Sequence, residues 1–313
     1  MRRALALSLA VLAGACGGGA EDPPADRRGG GLVAQVASYE PLAGEDNRLI
    51  VGLLTEDNLF VSGGTATFRF SYLGEEGAAP VPGPEVQAGF LPIAEPGAVP
   101  PPEQPTVGGA TDVGRGVYAA RGVRFDRAGL WEVEVIATID GEERRATSAF
   151  TVLEEPLVPG VGERAPRTKN LTIHDGDAPP QAIDSRAETE GEVPDPDSHD
   201  TTIAAAIRRG RPVLAVFATP VYCVSRFCGP ITDMVAGLRE RWGDRVEIIH
   251  VEIWRDFQEQ VVNKGAAEWV LREDNLTEPW IFLIDGDGRI AARWDNVATP
   301  GEIEPELERV TGG

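Results

Sequence analysis

Hydrophobic positions along the chain keep two different periods. Between residues 41 and 155 apolar and polar residues alternate in short runs: RLIVGLLTED (48–57), TATFRFSYLG (65–74), GVYAARGVRF (116–125), GLWEVEVIATIDG (129–141) and RRATSAFTVL (144–153). Each is rich in Val, Phe, Tyr or Trp and is bounded by turn residues, the pattern of half-buried strands. Trp131-Glu132-Val133-Glu134-Val135 has a clean period of two, and Asp140-Gly141 supplies the residues of a two-residue hairpin turn. No run here carries a long helical period, so the segment predicts an antiparallel β-sandwich. The Pro-rich stretch 78–105 predicts a long loop with one strand, near Val86 to Leu91.

Residues 156–198 hold prolines, acidic runs and few apolar side chains, and read as a linker or loosely packed lead-in. Beyond them strand and helix periods alternate. Thr201 to Arg209 predicts a helix and PVLAVF (212–217) a buried strand. Helical spacing follows from Ile231 to Trp242, then strand RVEIIHVEI (245–253), then a long helix from Asp256 to Leu271. WIFLID (280–285) and RIAARW (289–294) form a hairpin across Gly286-Asp287-Gly288, and Glu302 to Val310 closes as a helix. The order is β-α-β-α-β-β-α, an α/β unit.

At 313 residues the chain suits two domains. The boundaries expected are 1–15 signal peptide, 16–40 tether, 41–155 sandwich, 156–198 lead-in and 199–313 α/β domain, whose own lead-in starts near 161. A net charge of −21 argues against nucleic acid as partner, because phosphates need a basic footprint. MRRALALSLAVLAGA has two arginines before an apolar run too short to span a bilayer. With Cys16-Gly17-Gly18-Gly19 after it, the segment resembles a bacterial lipoprotein signal. That resemblance implies acylation of Cys16 and a membrane-anchored protein facing the periplasm or the cell exterior. Ala13 stands where such signals carry Leu, and Ala13-Gly14-Ala15 also fits an ordinary cleavage site.

The three cysteines are then Cys16 and one pair, Cys223 and Cys228, in an oxidising compartment. A redox pair, a metal site and a small structural staple all begin from that pair. Zinc-finger spacing is absent: the histidines are His174, His199 and His250. Proline belongs in a helix's first turn, so Pro230 starts the helix near Gly229 and leaves Cys223 to Phe227 as a loop able to close a bridge. Cys228 then lies at the helix N-terminus, where the dipole favours a thiolate and Arg226 adds to it.

The element order, the cysteines after the unit's first strand, and Glu278-Pro279-Trp280 before the hairpin resemble the thioredoxin-like fold. The resemblance covers roughly residues 161–313. Val161-Gly162-Glu163-Arg164-Ala165-Pro166 is similar to the lead-in of membrane-anchored thioredoxin-like and peroxiredoxin proteins. It implies that Pro279 is a cis proline shaping a groove for a partner's extended chain, with Tyr222, Arg226, Pro230 and Trp280 as groove candidates. It also implies that Cys223 attacks and Cys228 resolves. Two departures stand out. The cysteines are spaced C-x4-C rather than C-x-x-C, and Val216 occupies the position of the family's buried acid. The stretch GVYAARGVRFDRAGLWEVEV (116–135) resembles the last strands of immunoglobulin-like modules of bacterial surface proteins, which implies a spacer or binding module.

Three functions stay open: disulfide exchange with protein thiols, a peroxiredoxin-like peroxidase, and non-enzymatic Cu(I) handling or binding. For the peroxidase, Thr219 lies four residues before Cys223, one out of register. For copper, His250 is the distal histidine, on the strand face of Ile248 and Glu252. No bound cofactor or resident metal is expected. Asp285-Gly286-Asp287-Gly288 reads as a turn rather than a calcium loop.

Overall fold

The computed structural model describes residues 31–74, 78–93, 100–108, 116–223, 227–272 and 275–312. The expected signal, Cys16 and Arg226 lie outside the described residues. Strands β1 (Leu32–Val36), β2 (Asn47–Thr55), β3 (Phe60–Ser62), β4 (Thr65–Tyr72), β5 (Val81–Pro92), β6 (Thr106–Gly108), β7 (Gly116–Val123), β8 (Gly129–Ile139) and β9 (Glu142–Val152) form one nine-stranded sheet. The alternation in β8 sends Trp131, Val133, Val135, Ala137 and Ile139 inward. Asp140 and Gly141 both take positive φ, 53° and 80°, and turn β8 into β9. Phe125 anchors the core, with its ring centroid 4.9 Å from Trp131 and 5.3 Å from Phe70.

Two stacked sheets were expected; the strands instead pair continuously in the order β6-β3-β2-β7-β5-β4-β8-β9, with β1 on the other edge of β2. β1 comes to lie against β9, so the sheet rolls around one apolar core. β1 also falls inside the expected tether. Its alternating Leu32, Ala34 and Val36 find partners along β2 from Thr55 to Val51.

The remaining elements are α1 (Ala187–Glu190), α2 (Ile203–Arg208), β10 (Val213–Ala218), α3 (Cys228–Gly237), α4 (Arg239–Trp242), β11 (Glu247–Glu252), β12 (Trp254–Asp256), β13 (Val261–Val262), α5 (Lys264–Val270), β14 (Leu271–Arg272), β15 (Asn275–Leu276), β16 (Trp280–Ile284), β17 (Ile290–Asp295) and α6 (Pro300–Thr311). A four-stranded sheet has the order β11-β10-β16-β17, with β11 parallel to β10 and the other pairings antiparallel. Every residue of β10 is buried. Val213, Ala215 and Phe217 face α2 and α5, while Leu214, Val216 and Ala218 face α3, α4 and α6. Burial on both faces explains its unbroken apolar run. Among the described residues no helix is long and apolar enough to cross a membrane.

The helix expected from Asp256 to Leu271 is cut to α5. Its first half forms a hairpin in which Trp254 pairs with Val262 and Asp256 with Val261, with Gln260 at φ 54°. The β-branched pair Val261-Val262 suits strand over helix, and extended Asn263 starts the helix behind it.

The segment 156–198 is packed rather than loose. Val158, Ala165, Thr168, Asn170, Ala182, Ile183, Asp184, Ser185 and Ser198 are all buried. Polar side chains carry much of this packing: Trp269 Nε1 donates to Thr168 Oγ1 at 2.8 Å, and Asn170 Oδ1 accepts from the Ile203 N–H at 2.9 Å.

A spacer would touch its neighbour little, but the rolled sheet is seated on the β16–β17–α6 side of the second sheet. Arg48 Nε donates to Glu302 at 2.7 Å, and Arg293 pairs with Glu40 at 3.0 Å. Asp295 accepts from the Tyr39 N–H at 2.6 Å. Val297 is buried among Ile50, Leu91, Val117 and Ala119, and Phe227, the residue before α3, packs on the same cluster.

Candidate functional site

β10 ends at Ala218, Cys223 lies five residues further on, and α3 begins at Cys228. Cys223 and Cys228 are joined as a disulfide with Cα atoms 6.0 Å apart. The two sulfurs differ in access. Cys228, the first residue of α3, is wholly buried against Val216, Ile231 and their neighbours, while Cys223 is half-buried. Cys228 sits in the first turn of α3, where unpaired N–H groups and the helix dipole favour a thiolate when the bridge opens.

Across from the bridge, the Glu278–Pro279 peptide bond is cis, immediately before β16. A carboxylate oxygen of Glu278 and the two Sγ atoms all lie within 4.8 Å of one another. Glu278 Oε2 is buried and has no hydrogen-bond partner among the described residues. Burial, and then the charge of Glu252, push the Glu278 carboxyl up to about 8.

Glu252, at the end of β11 beside Ala218, is itself buried. It accepts from the Ser185 N–H at 2.8 Å and the Trp254 N–H at 3.2 Å. Desolvation raises its pKa above the ordinary value, against the pull of His250.

Behind the cysteine loop lies a buried ionic network. Asp184 Oδ2 stands 3.1 Å from His250 Nδ1, 3.3 Å from His199 Nε2 and 2.7 Å from Arg186 Nη2. Burial opposes its charge, but hydrogen bonds from His199, His250 and Arg186 and the charge of His250 hold Asp184 far below the usual carboxylate range. His250 Nε2 lies 3.1 Å from the Ala218 carbonyl. Both ring nitrogens of His250 thus face acceptors, which only the doubly protonated ring satisfies. Burial opposes that charge, but Asp184 overcomes it and the pKa of His250 is raised; His199 is lowered, chiefly by burial. Ser185 completes the brace: its Oγ accepts from the Val221 N–H at 3.2 Å. The segment expected to be a linker therefore holds the cysteine loop.

Among the described residues two groups offer metal-ligand atoms within 4.8 Å of one another: Asp184, His199 and His250, and Cys223, Cys228 and Glu278. In the first, Arg186 already supplies a cation to Asp184 Oδ2. In the second, the sulfurs are bonded to each other and give thiolates only after reduction.

The groove candidates separate in space. Tyr222 stacks on Phe257, centroids 4.1 Å apart, and bonds Glu188 through its hydroxyl. Pro230 is exposed in the first turn of α3. Trp280 does not line an opening: it is 2% exposed, stacked on Phe282, with Nε1 bonded to Thr277. As first residue of β16 it points into the α2–α5 face, as the strand's alternation requires. Sequence reading passed over Glu278 as chemistry, along with Glu252, Asp184, His199 and Tyr39. A signal existed for Glu252 and His250, polar residues at inward positions of an otherwise apolar strand.

No family model and no curated protein matches this chain. Among solved structures it is similar to a solution structure from Bacteroides thetaiotaomicron provisionally named a protein disulfide isomerase. The identity is 13%, with 51% of this chain and 96% of that one covered and a TM-score of 0.33. A likeness at that level carries no functional weight.

Proposed function

We propose that the chain is a thiol–disulfide oxidoreductase of thioredoxin-like fold, exported and anchored through acylated Cys16, that exchanges disulfides with protein partners. The observation that carries the reading is the unequal access of the two bonded sulfurs beside the Glu278 turn: Cys223 half-buried, Cys228 fully buried. In reduction, a partner thiolate attacks Cys223 Sγ. The Cys223–Cys228 bond breaks and its electron pair leaves on Cys228 at the α3 N-terminus. In the reverse direction, Cys228 attacks the mixed disulfide at Cys223 and the partner leaves as thiolate. Pro279 borders the place where the partner chain lies, and the rolled sheet is a second domain that flanks it.

Exchange is favoured over peroxide chemistry by Thr219. A peroxidase needs that hydroxyl at the attacking sulfur, whereas it is fully buried 3.4 Å from Ser185 Oγ. The test is the reduction potential of the pair, read by mass shift after equilibration in graded glutathione buffers. Exchanging dithiols fall at roughly −270 to −120 mV. A potential below about −300 mV would make the bridge a structural staple and overturn the reading.

A further inference from the structure

We propose that Glu278 is the acid–base group of the cysteine pair, taking the proton of Cys228 when that thiol attacks and returning it when the bridge opens. This rests on the exchange reading above. The site needs such a group, because a buried thiol attacks only as thiolate and its proton has no direct path to water. The strand position that carries an acid in the fold resembled here is Val216, which is apolar and buried. An acid placed on β16's approach instead of on β10 still reaches both sulfurs.

The geometry singles out Glu278 among the titratable groups around the bridge. Glu252 is committed to the Ser185 and Trp254 N–H groups. His250 is committed to Asp184 and to the Ala218 carbonyl. The Tyr222 hydroxyl bonds Glu188, and the Tyr39 hydroxyl bonds the Glu278 main-chain carbonyl. Glu278 alone of these combines a carboxylate oxygen within 4.8 Å of both sulfurs with a buried Oε2 that has no partner among the described residues. Its surroundings also match it to a thiol. A carboxyl titrating near 8 exchanges protons with a thiol at little cost, since free cysteine titrates at about 8.5.

The step balances. With a partner sulfur bonded to Cys223, the Cys228 S–H proton moves to the Glu278 carboxylate and the new thiolate attacks Cys223 Sγ. The Cys223–Cys228 bond forms, the partner–Cys223 bond breaks, and its electron pair leaves on the partner sulfur. The partner is reduced by the two electrons that the cysteine pair loses. In the opposite direction the Glu278 carboxylic acid protonates the departing Cys228 thiolate.

The experiment follows resolution of the mixed disulfide formed when the reduced full chain meets oxidised glutathione. Wild type, Glu278→Gln and Glu278→Asp are acid-quenched and weighed by mass spectrometry from about pH 5.5 to 9.5. Positioned acid–base groups contribute roughly 10²–10⁴-fold. Resolution in Glu278→Gln is therefore expected to slow by at least ~10-fold at pH 8 and to lose the step that wild type shows near that pH. Glu278→Asp keeps the step at a reduced rate, which separates proton transfer from packing. Wild-type rate with an unchanged pH profile in Glu278→Gln overturns the assignment while leaving exchange intact. A wild-type chain that forms or resolves no mixed disulfide overturns both.

Discussion

Tyr39, in the loop between β1 and β2, donates its phenolic hydrogen bond to the main-chain carbonyl of Glu278. Its ring also tilts against Trp280 at 5.7 Å. The rolled sheet thus holds the turn that carries Glu278 and Pro279. Tyr39→Phe keeps the ring and deletes the donor, leaving a half-buried carbonyl unpaired. Such a loss costs about 1–3 kcal/mol. Urea unfolding of the oxidised chain is expected to show a midpoint lowered with an unchanged slope. Stability equal to wild type would mean that the hydrogen bond does not hold the turn.

Glu278 titrates near 8 in the folded chain against an ordinary 4.5. Between those values the folded state binds the proton and the unfolded state has released it. The stabilisation is complete below the unfolded value and is lost as pH rises through about 8. Glu252 shifts in the same direction, so wild type alone does not isolate Glu278. The difference from Glu278→Gln does, because the amide stays neutral. The variant is expected to match wild type near pH 5 and to exceed it near pH 9 by on the order of 3 kcal/mol, taking about 1.4 kcal/mol per pKa unit and allowing for screening. Parallel pH curves for the two chains would contradict the raised carboxyl.

The parts of the molecule legible in the sequence are those whose cores are built from apolar residues at a fixed period. The β8–β9 hairpin, β10, the β16–β17 hairpin and α6 all lie where alternation or helical spacing places them. Cys223 and Cys228 stood out because the chain has only three cysteines, and Pro279 because it directly precedes an apolar strand, where the resembled fold carries a proline. The segment 156–198 was not, because it is buried through Thr168, Asn170, Asp184 and Ser185, residues that a count of apolar positions treats as exposed. The stretch 256–271 was misread because its spacing fits a helix while its hairpin is made by pairing with Trp254, outside the window. Glu278 lay in view beside Pro279. Only the folded chain shows that its carboxylate faces the sulfurs.

Asp184 is the anion on which Arg186, His199 and His250 converge. Asp184→Asn keeps its shape and removes its charge, stranding His250 between a neutral amide and the Ala218 carbonyl. Removing one partner of a buried ion pair costs about 3–5 kcal/mol. His250 then loses the partner that raises its pKa, and burial favours its neutral form. Proton NMR of the imidazole C–H signals checks this directly. The His250 resonance is expected to move toward the neutral position in Asp184→Asn and to stay at the charged position in wild type. An unmoved signal would show that Asp184 is not what charges the ring.

The unequal burial of the two sulfurs makes opposite forecasts for the two serine variants. In reduced Cys228→Ser the remaining thiol, Cys223, is half-buried and open to attack. In reduced Cys223→Ser the remaining thiol, Cys228, is fully buried, packed against Val216 and Ile231. A thiolate reacts only where reagent reaches it, so access outweighs the helix-terminus position of Cys228. Iodoacetamide is expected to alkylate Cys223 in the first variant at least ~10-fold faster than Cys228 in the second. With a disulfide-bearing partner, Cys228→Ser accumulates the mixed disulfide, because no second sulfur is left to resolve it. Equal alkylation rates, or a trapped complex formed by Cys223→Ser instead, would reverse the roles of attacking and resolving cysteine. The α3 N-terminus would then mark the attacking sulfur.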